Sequence, residues 1–180
     1  MLKIAVNGAC GRMGARIAAL VFEDSQLNLA AALERPGHPS LGKDVGTIAG
    51  CGETNIKVTS TLNTHADVVI DFSSPESTMA IAEVCAKKNI GLLVGTTGLN
   101  PQQLERIKSF STQIPCLISP NMSVGVNVMF NLAAQMAQML GKEFDIEIIE
   151  THHRFKKDSP SGTALKLAEK ICEATDRKLE

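Results

Sequence analysis

A glycine-rich turn between a predicted strand and a predicted helix, at the start of the chain, constrains the fold more than any other feature. Residues 2–7 form a short apolar run, and residues 12–23 repeat apolar side chains every three to four positions. Gly8, Gly11 and Gly14 lie in and beside the turn. Glycine lets a backbone turn tightly and approach a pyrophosphate, which a helix amino terminus then stabilises. The feature predicts a dinucleotide-binding βαβ unit, and a plain tight turn is the alternative.

Two charged residues follow the second predicted strand, which spans residues 27–33. Glu34 lies 20 residues beyond Gly14, where an acidic side chain can accept hydrogen bonds from an adenosine ribose. Arg35 could bind a ribose 2′-phosphate, although an ordinary solvated arginine fits nearly as well. The adjacent Glu-Arg pair favours use of both NADH and NADPH. Cys10 departs from the common G-x-G-x-x-G pattern, because a glycine often stands at its position.

Strands and helices alternate through the first two-thirds of the chain, without signals for tight hairpins. This order predicts an α/β fold, a Rossmann-type doubly wound parallel sheet. A glycine-rich segment with two prolines, residues 36–55, is predicted as a long loop. The other predicted strands are 56–58, 67–72, 90–94 and 116–119, and the helices are 75–88, capped by Ser73 or Ser74, and 101–110, capped by Asn100.

The character of the sequence changes near residue 121, so we predict a domain boundary near 122. A partial α+β domain follows this boundary. Its predicted elements are a helix with an apolar stripe at 124–140, capped by Gly141, a strand at 144–149, a polar loop at 151–160 and a helix at 161–174.

Three loops follow strands whose carboxyl ends share one edge of the predicted sheet: residues 71–75, 95–98 and 119–123. In open parallel sheets, ligands bind outside the carboxyl ends of the strands. Small and hydroxylated residues there can offer amides and hydroxyls to a carboxamide or a ribose. Capped turns are the alternative, because Ser, Thr, Asn, Gly and Pro are common turn residues.

A loop late in the chain gathers His152, His153 and Lys156 before the run Ser161-Gly162-Thr163. Histidine and lysine provide positive charge and proton donors, and a helix that begins after Ser161 presents hydroxyl and N–H groups to an anion. The pattern favours binding of a dicarboxylate beside a proton donor. The alternatives are a metal site, which no Cys or carboxylate spacing supports, a solvated lysine surface and a simple helix cap.

Composition argues against several classes of protein. The net charge of −1 gives no broad positive field for nucleic acid or an anionic membrane, and six Phe without Tyr or Trp leave few stacking platforms. We find no apolar run of transmembrane length and no signal-peptide pattern. The five cysteines are odd in number and form no C-x-x-C pair, so we expect a cytoplasmic protein without a disulfide framework or a cysteine zinc site.

The motifs resemble those of the 4-hydroxy-tetrahydrodipicolinate (dihydrodipicolinate) reductase family. The most specific is Glu-Ile-Ile-Glu-Thr-His-His at 147–153, followed by Lys156, Asp158 and Pro-Ser-Gly-Thr-Ala at 160–164. The resemblance covers nearly the whole chain. It includes residues 6–14, 32–35, 69–72, 95–98 and 121–127.

The resemblance implies an NAD(P)H-dependent reductase of lysine and diaminopimelate biosynthesis, whose nicotinamide delivers hydride to a cyclic imine-type dicarboxylate, giving tetrahydrodipicolinate. His152 would donate the proton, with Lys156 as a second donor. The implied carboxylate-binding residues are His153, Ser161, Gly162 and Thr163. The implied cofactor-binding residues are Gly8, Ala9, Cys10, Gly11, Arg12, Met13, Glu34, Arg35, Gly95, Thr96, Thr97, Ser119, Pro120, Asn121 and Met122. No metal is implied.

The family also implies a division of labour between domains. Residues 1–122 would bind the dinucleotide, and residues 123–180 would begin a substrate-binding and oligomerisation domain that continues further in the family, which assembles as a homotetramer. The chain is therefore expected to be truncated, and a non-catalytic nucleotide-binding fragment is the alternative function. A different Rossmann oxidoreductase acting on another small acid is disfavoured by the His-His-x-x-Lys loop joined to Ser-Gly-Thr.

Overall fold

A computed structural model describes residues 1–154 and 159–179 of the chain. Its strands are β1 (Leu2–Asn7), β2 (Leu27–Leu33), β3 (Val58–Thr59), β4 (Val68–Asp71), β5 (Gly91–Val94) and β6 (Cys116–Ile118). Its helices are α1 (Arg12–Glu23), α2 (Val45–Ala49), α3 (Pro75–Lys88), α4 (Pro101–Phe110), α5 (Val124–Leu140) and α6 (Gly162–Thr175). The strands form one parallel sheet in the order β3-β2-β1-β4-β5-β6, which confirms the predicted Rossmann-type fold.

The sheet is wound in both directions from its centre. β1 pairs with β2 on one side and with β4 on the other. The connections that leave β1 and β4 therefore diverge, and they open a crevice at the carboxyl ends of these two strands. Such a switch point is where open α/β sheets bind their ligands.

Apolar side chains cover both faces of the sheet. On one face, Ile81 of α3 and Ile107 of α4 belong to a buried cluster that includes Ala5 of β1. On the other face, Ala18 of α1 belongs to a second cluster, which includes Val6 of β1. Neighbouring residues of β1 point to opposite faces, as the pleat of a strand requires. Full burial of one aliphatic side chain contributes about 1.5–3 kcal/mol, so these clusters are the main source of the sheet's stability.

The helix starts follow the predicted caps. The Ser74 hydroxyl accepts the Ser77 N–H at 3.3 Å, and Pro75 occupies the first turn of α3. Asn100 and Gln103 exchange hydrogen bonds of 2.8 and 2.9 Å in a capping box at α4. Each cap satisfies N–H groups that a helix start otherwise leaves unpaired.

Segment 36–55 differs from the predicted loop, because it contains the short helix α2. The Asp44 carboxylate caps α2 by accepting the N–H of Thr47, and it also accepts the N–H groups of Thr54 and Ile56, each at 3.1 Å. A Cβ on Gly46 would lie 2.2 Å from the Gly52 carbonyl oxygen. Gly46 therefore permits close packing inside a short helix, whereas glycines in the sequence of this segment predict a loop.

The chain forms two compact units, Met1–Ile118 and Ser119–Glu180. The boundary predicted near residue 122 stays a prediction. In the second unit, α5 and α6 pack on each other, and their buried apolar residues are Phe130, Ala137, Ala168 and Ile171. Within the described residues, no helix is both long and apolar enough to cross a membrane.

The strand predicted at 144–149 is wrong. These residues form no strand, and Phe144 and Ile149 are exposed. Alternating apolar side chains stabilise a strand only when another strand pairs with it, and the described part of the second unit contains no other strand. The Arg177 guanidinium instead donates to the carbonyls of Gly141 at 3.1 Å and Phe144 at 2.7 Å, which ties this segment to the end of α6.

Candidate functional site

The glycine turn after β1 is shaped by backbone contacts that leave no room for side chains. Gly8 has a φ of +76°, and a Cβ there would lie 2.4 Å from the Phe72 carbonyl oxygen. A Cβ on Gly14 would lie 2.0 Å from the Gly8 carbonyl oxygen. The amides of Gly8 and Ala9 both donate to the Leu33 carbonyl at 3.0 Å, which joins the turn to the end of β2. The predicted tight turn is therefore built from glycine-specific geometry.

The helix that follows the turn begins without a side-chain cap. Gly11 is the N-cap residue of α1, and none of the side chains that the structure describes bonds to its first turn. Arg12 and Met13, the first two helical residues, are exposed. Uncapped N–H groups and the positive end of the helix dipole attract a phosphate, so this end of α1 fits the predicted pyrophosphate contact.

A pocket of about 350 Å³ joins the turn to the end of β2. Its lining residues are Gly8, Cys10, Gly11, Glu34, Arg35, His38, Phe72, Ser73, Ser74 and Ser77. The Glu34 carboxylate accepts the N–H of Cys10 at 3.4 Å and that of Arg35 at 3.0 Å. Burial, and then the negative charge of Glu34, raise the pKa of the Cys10 thiol. The structure thus brings the predicted turn and the predicted acidic pair together, and it adds His38 and Ser77, which sequence reasoning did not identify.

Asp71, at the carboxyl end of β4, is a fully buried carboxylate with four side-chain donors. Asn7 Nδ2 donates at 2.6 Å and the Ser73 hydroxyl at 2.5 Å to Oδ1. The hydroxyls of Thr78, at 2.5 Å, and Thr96, at 2.7 Å, donate to Oδ2. These donors come from the end of β1, from α3 and from the loops after β4 and β5. Sequence reasoning assigned Asp71 no role, although an acid that ends an apolar strand beside several hydroxyl residues is a usable signal.

The loop after β5 packs against the loop after β4. A Cβ on Gly95 would lie 2.1 Å from Cζ of Phe72, so the aromatic ring rests directly on the Gly95 backbone. The Thr96 hydroxyl is buried and accepts the Ser73 N–H at 2.8 Å, whereas Thr97 is exposed. Two of the three predicted strand-end loops therefore meet at the crevice.

The third predicted loop, residues 119–123, lies in the second unit beside the start of α6. The Ser119 hydroxyl donates to the Asn121 carbonyl at 2.8 Å, and Asn127 Nδ2 donates to the same carbonyl at 3.0 Å. Asn121 Nδ2 donates to the Thr163 hydroxyl at 3.2 Å. A Cβ on Gly162 would lie 3.7 Å from Cβ of Pro120, an ordinary contact. Within this unit, predicted cofactor residues thus touch predicted substrate residues.

Ser161 acts as the cap of α6. Its hydroxyl accepts the Ala164 N–H at 3.1 Å, and its own N–H donates to the Glu150 carboxylate at 2.7 Å. The residue is buried, with 4% of its surface exposed. A capping role, one of the alternatives that the sequence left open, therefore occupies this hydroxyl.

The predicted proton donors are only partly described. His152 Nδ1 lies 3.2 Å from a Glu150 carboxylate oxygen, and about 40% of the His152 side chain is exposed. Glu150 thus contacts both His152 and the start of α6. His153 is exposed, and Lys156 lies outside the described residues. A larger cavity of about 960 Å³ borders α6, but its lining includes none of the described predicted site residues.

Two protein-family models match the sequence of this chain. The model for the amino terminus of dihydrodipicolinate reductase matches residues 2–122, and the model for its carboxyl terminus matches residues 125–180. The chain belongs to the dihydrodipicolinate reductase family. The two matches together cover both units.

Individual proteins that resemble this chain are reductases of the same family. The 4-hydroxy-tetrahydrodipicolinate reductase of Syntrophus aciditrophicus is 44% identical over 183 residues, which cover 100% of this chain and 68% of the relative. That of Citrifermentans bemidjiense is 46% identical over 180 residues, 98% of this chain and 67% of the relative. A dipicolinate-bound dihydrodipicolinate reductase from Paenisporosarcina sp. TG-14 aligns with 100% of this chain and 69% of its own, with a TM-score of 0.72 and 27% identity.

Membership of the dihydrodipicolinate reductase family confirms the predicted fold, the reductase class and a nicotinamide dinucleotide, NADH or NADPH, as cofactor. The comparisons give no support to the non-catalytic alternative. The roles of individual site residues stay predictions.

Proposed function

We propose that the chain catalyses the NADH- or NADPH-dependent reduction of 4-hydroxy-tetrahydrodipicolinate to tetrahydrodipicolinate. The observation that carries this proposal is the match to both family models, over residues 2–122 and 125–180. The dipicolinate bound by the Paenisporosarcina enzyme supports a small cyclic dicarboxylate as substrate. When bound, the nicotinamide supplies the hydride, and the protein supplies binding, orientation and a proton.

The cofactor residues are those whose backbone geometry fits a dinucleotide. The turn from Gly8 to Met13 holds the pyrophosphate, because Cβ atoms at Gly8 and Gly14 would meet backbone atoms and α1 begins without a side-chain cap. Glu34 binds the adenosine ribose and Arg35 a 2′-phosphate when NADPH is used. The remaining proposed contacts are Gly95, Thr96, Thr97, Ser119, Pro120, Asn121 and Met122.

Asp71 acts as a positioning residue for this cofactor pocket. Its carboxylate holds side chains that follow three strands, through Asn7, Ser73 and Thr96. All four of its side-chain donors are neutral amide or hydroxyl groups, and hydrogen bonds to a charged acceptor are stronger than neutral ones. The carboxylate therefore fixes the loops that border the crevice without touching the cofactor itself.

The proton donors and carboxylate-binding groups lie in the second unit. His152 donates the proton that completes hydride addition, and the Glu150 carboxylate at 3.2 Å orients its ring. Lys156 serves as the second donor. The substrate carboxylates are bound by His153, Gly162 and Thr163, with Ser161 as the cap of the helix that presents them.

The wider setting belongs to the same proposal. The chain acts in diaminopimelate and lysine biosynthesis, in the cytoplasm, and assembles as a homotetramer, as the family resemblance implies. Neither nucleic acid nor a membrane is a partner, in keeping with the net charge of −1.

Oxidation of NADPH, followed with enzymatically generated 4-hydroxy-tetrahydrodipicolinate, tests the function on this chain and on a version extended at its carboxyl end. His152→Ala and Lys156→Ala should each lower turnover by about 10²–10⁴-fold, the usual contribution of a proton donor. The affinity for NADH should stay nearly unchanged in both variants. His65→Ala and Lys166→Ala are the matched controls, because these side chains pair with Asp67 and Glu169.

Three results would count against the proposal. Near-normal turnover in both variants would reject their roles. Saturable NADPH binding without substrate-dependent oxidation, in the chain and in the extended version, would favour the non-catalytic alternative. Equal losses in the control variants would indicate a general effect of removing charge.

A further inference from the structure

Three potential metal ligands of different chemistry meet in the pocket beside the glycine turn. One ligand atom each from Cys10, Glu34 and His38 lies within 4.8 Å of the other two, and all three residues are half-buried. They come from the turn after β1, the end of β2 and the loop that follows it. Residues separated by 24 and 4 positions form no recognisable metal motif, so the sequence predicts no metal site here.

The ligand set favours zinc over hard cations. Zn²⁺ is bound by thiolate at about 2.3 Å and by imidazole and carboxylate at about 2.0–2.2 Å, usually with four ligands. Ligands around such an ion lie about 3.3–3.8 Å apart, so these side chains need to approach by only about 1 Å. Mg²⁺ and Ca²⁺ prefer oxygen ligands alone, which a thiol and an imidazole do not provide.

The present contacts of the three side chains allow this movement. The Glu34 carboxylate accepts the Arg35 N–H at 3.0 Å through Oε1, whereas its Oε2 accepts the Cys10 N–H at 3.4 Å, a long hydrogen bond that constrains this oxygen weakly. His38 Nδ1 accepts the Ser40 N–H at 3.2 Å. Coordination through Nδ1 would replace this bond, and coordination through the other ring nitrogen would move a proton to Nδ1 and break it. The ring therefore gives up one backbone hydrogen bond in either case.

Charge balance also fits a divalent cation. On binding, the Cys10 thiol releases its proton to solvent, and the thiolate and the Glu34 carboxylate together carry two negative charges. The positive charge of Lys43 also acts on Cys10, where it lowers the pKa of the thiol, and it would repel a bound cation. A fourth position would be open to water, because the described residues supply three ligands to this cluster.

We propose that Cys10, Glu34 and His38 form a zinc site that overlaps the adenosine end of the dinucleotide pocket, so that Zn²⁺ and NADH exclude each other. This inference rests on the proposed function, which uses Glu34 to bind the ribose. A carboxylate oxygen that coordinates zinc cannot also accept the ribose hydroxyls in the same geometry. The three residues line the same 350 Å³ pocket as the glycine turn.

Metal titration of the intact chain, with Co²⁺ as a spectroscopic substitute for Zn²⁺, tests the site directly. One equivalent of Co²⁺ should give tetrahedral ligand-field bands and a thiolate-to-cobalt charge-transfer band. Added Zn²⁺, or saturating NADH, should remove both. Cys10→Ser should abolish the charge-transfer band. His38→Ala should weaken metal binding at least about tenfold, which corresponds to 1.4 kcal/mol, and His65→Ala, which removes an exposed histidine, should not.

Steady-state kinetics of the reductase reaction provide a second test. Zn²⁺ should inhibit competitively against NADH, and His38→Ala should raise the inhibition constant for Zn²⁺ at least about tenfold relative to that variant's own KM for NADH. Absence of the charge-transfer band, equal metal affinity in His38→Ala, or full retention of Co²⁺ at saturating NADH would each overturn the proposal. Metal binding is read without turnover, so failure of the reductase assay remains distinguishable from failure of the zinc site. Circular dichroism confirms that each variant is folded.

Discussion

The two units of the molecule differ in how they cover their apolar surface. In Met1–Ile118, helices cover both faces of the sheet, and Val69 and Ile107 are completely buried. In Ser119–Glu180, α5 leaves large apolar side chains in solvent, with Met139 87% exposed and Met136 61% exposed. Both units nevertheless contain helices with apolar repeats, such as α1 and α5.

This contrast separates two pieces of information that an apolar repeat carries. The repeat in α5 predicts the helix itself, because main-chain hydrogen bonds and caps within the segment are enough to define it. Whether the apolar face is buried depends on elements elsewhere in the chain. Burial in the first unit is therefore a property of the assembled sheet, and substitutions should have much larger effects there than at comparable positions of α5.

The largest difference should come from the two helical glycines Gly14 and Gly125. Gly14→Ala places a Cβ 2.0 Å from the Gly8 carbonyl oxygen, so the glycine turn must move. We expect a loss of about 4 kcal/mol or more in the free energy of unfolding, the range of severe single substitutions, and at least about tenfold weaker NADH binding. Urea denaturation and NADH fluorescence titration measure the two effects.

Gly125→Ala is the matched control in the second unit. Its Cβ would lie 3.9 Å from the nearest side-chain atom, and alanine favours a helix over glycine by up to about 1 kcal/mol. Stability should therefore stay constant or rise slightly. Similar losses in the two variants would show that the tight backbone contact at Gly14 is not what limits the turn.

The next largest effect should come from truncating a helical side chain in each unit. Ile107→Ala removes a completely buried side chain from α4 and should cost about 2–5 kcal/mol. Leu132→Ala removes a side chain that is 59% exposed on α5 and should change stability by less than about 0.5 kcal/mol. Thermal and urea denaturation of both variants test the comparison. A loss above about 2 kcal/mol for Leu132→Ala would mean that α5 is covered in solution.

Asp71→Asn should have an intermediate effect on stability and a specific effect on cofactor binding. Asparagine keeps one accepting oxygen but replaces the other, which takes two of the four hydrogen bonds, with an NH₂ donor, so we expect a loss of about 1.5–3 kcal/mol. The Kd for NADH should rise severalfold, because the loops after β1, β4 and β5 lose their common anchor. Asp67→Asn is the control at the other end of β4, where the carboxylate accepts the Lys3 N–H at 2.7 Å. A stability loss with an unchanged Kd would leave Asp71 a purely structural residue.

The sequence predicted those parts of the fold that depend on neighbours along the chain. The caps Ser74 and Asn100 use partners three residues away, and within the glycine turn Gly14 packs against Gly8, so this chemistry is visible in the sequence. Segments 36–55 and 144–149 were predicted wrongly for opposite reasons. In the first, Asp44 binds residues ten and twelve positions away, and in the second, a strand pattern has no strand to pair with in the described residues.

The candidate site follows the same division. Glu34 was predictable, because its distance from Gly14 follows from the length of one βαβ unit. The Asp71 network was not, because its donors lie at positions 7, 73, 78 and 96 and meet only after the strands align. His38 likewise reaches the pocket through a loop whose path no local pattern determines. The partners of such groups become visible only when the parallel register of the sheet is known.

The smallest effect concerns the reactivity of cysteine thiols. It measures how well the helices of the first unit shield buried residues from solvent, and it needs no substitution. Burial, with smaller contributions from Cys116 and Asp71, raises the pKa of the Cys85 thiol to about 12. About one thiol in 10⁴ is then ionised at pH 8, and the thiolate is the reactive form. Iodoacetamide should therefore leave Cys85 unmodified while it labels Cys172, which is partly exposed in α6. Mass spectrometry of peptides follows both sites, and labelling in denaturant shows that both can react. Equal native labelling would mean that α3 leaves the sheet often enough to expose Cys85, and the contrast between a closed first unit and an open second unit would then be one of degree.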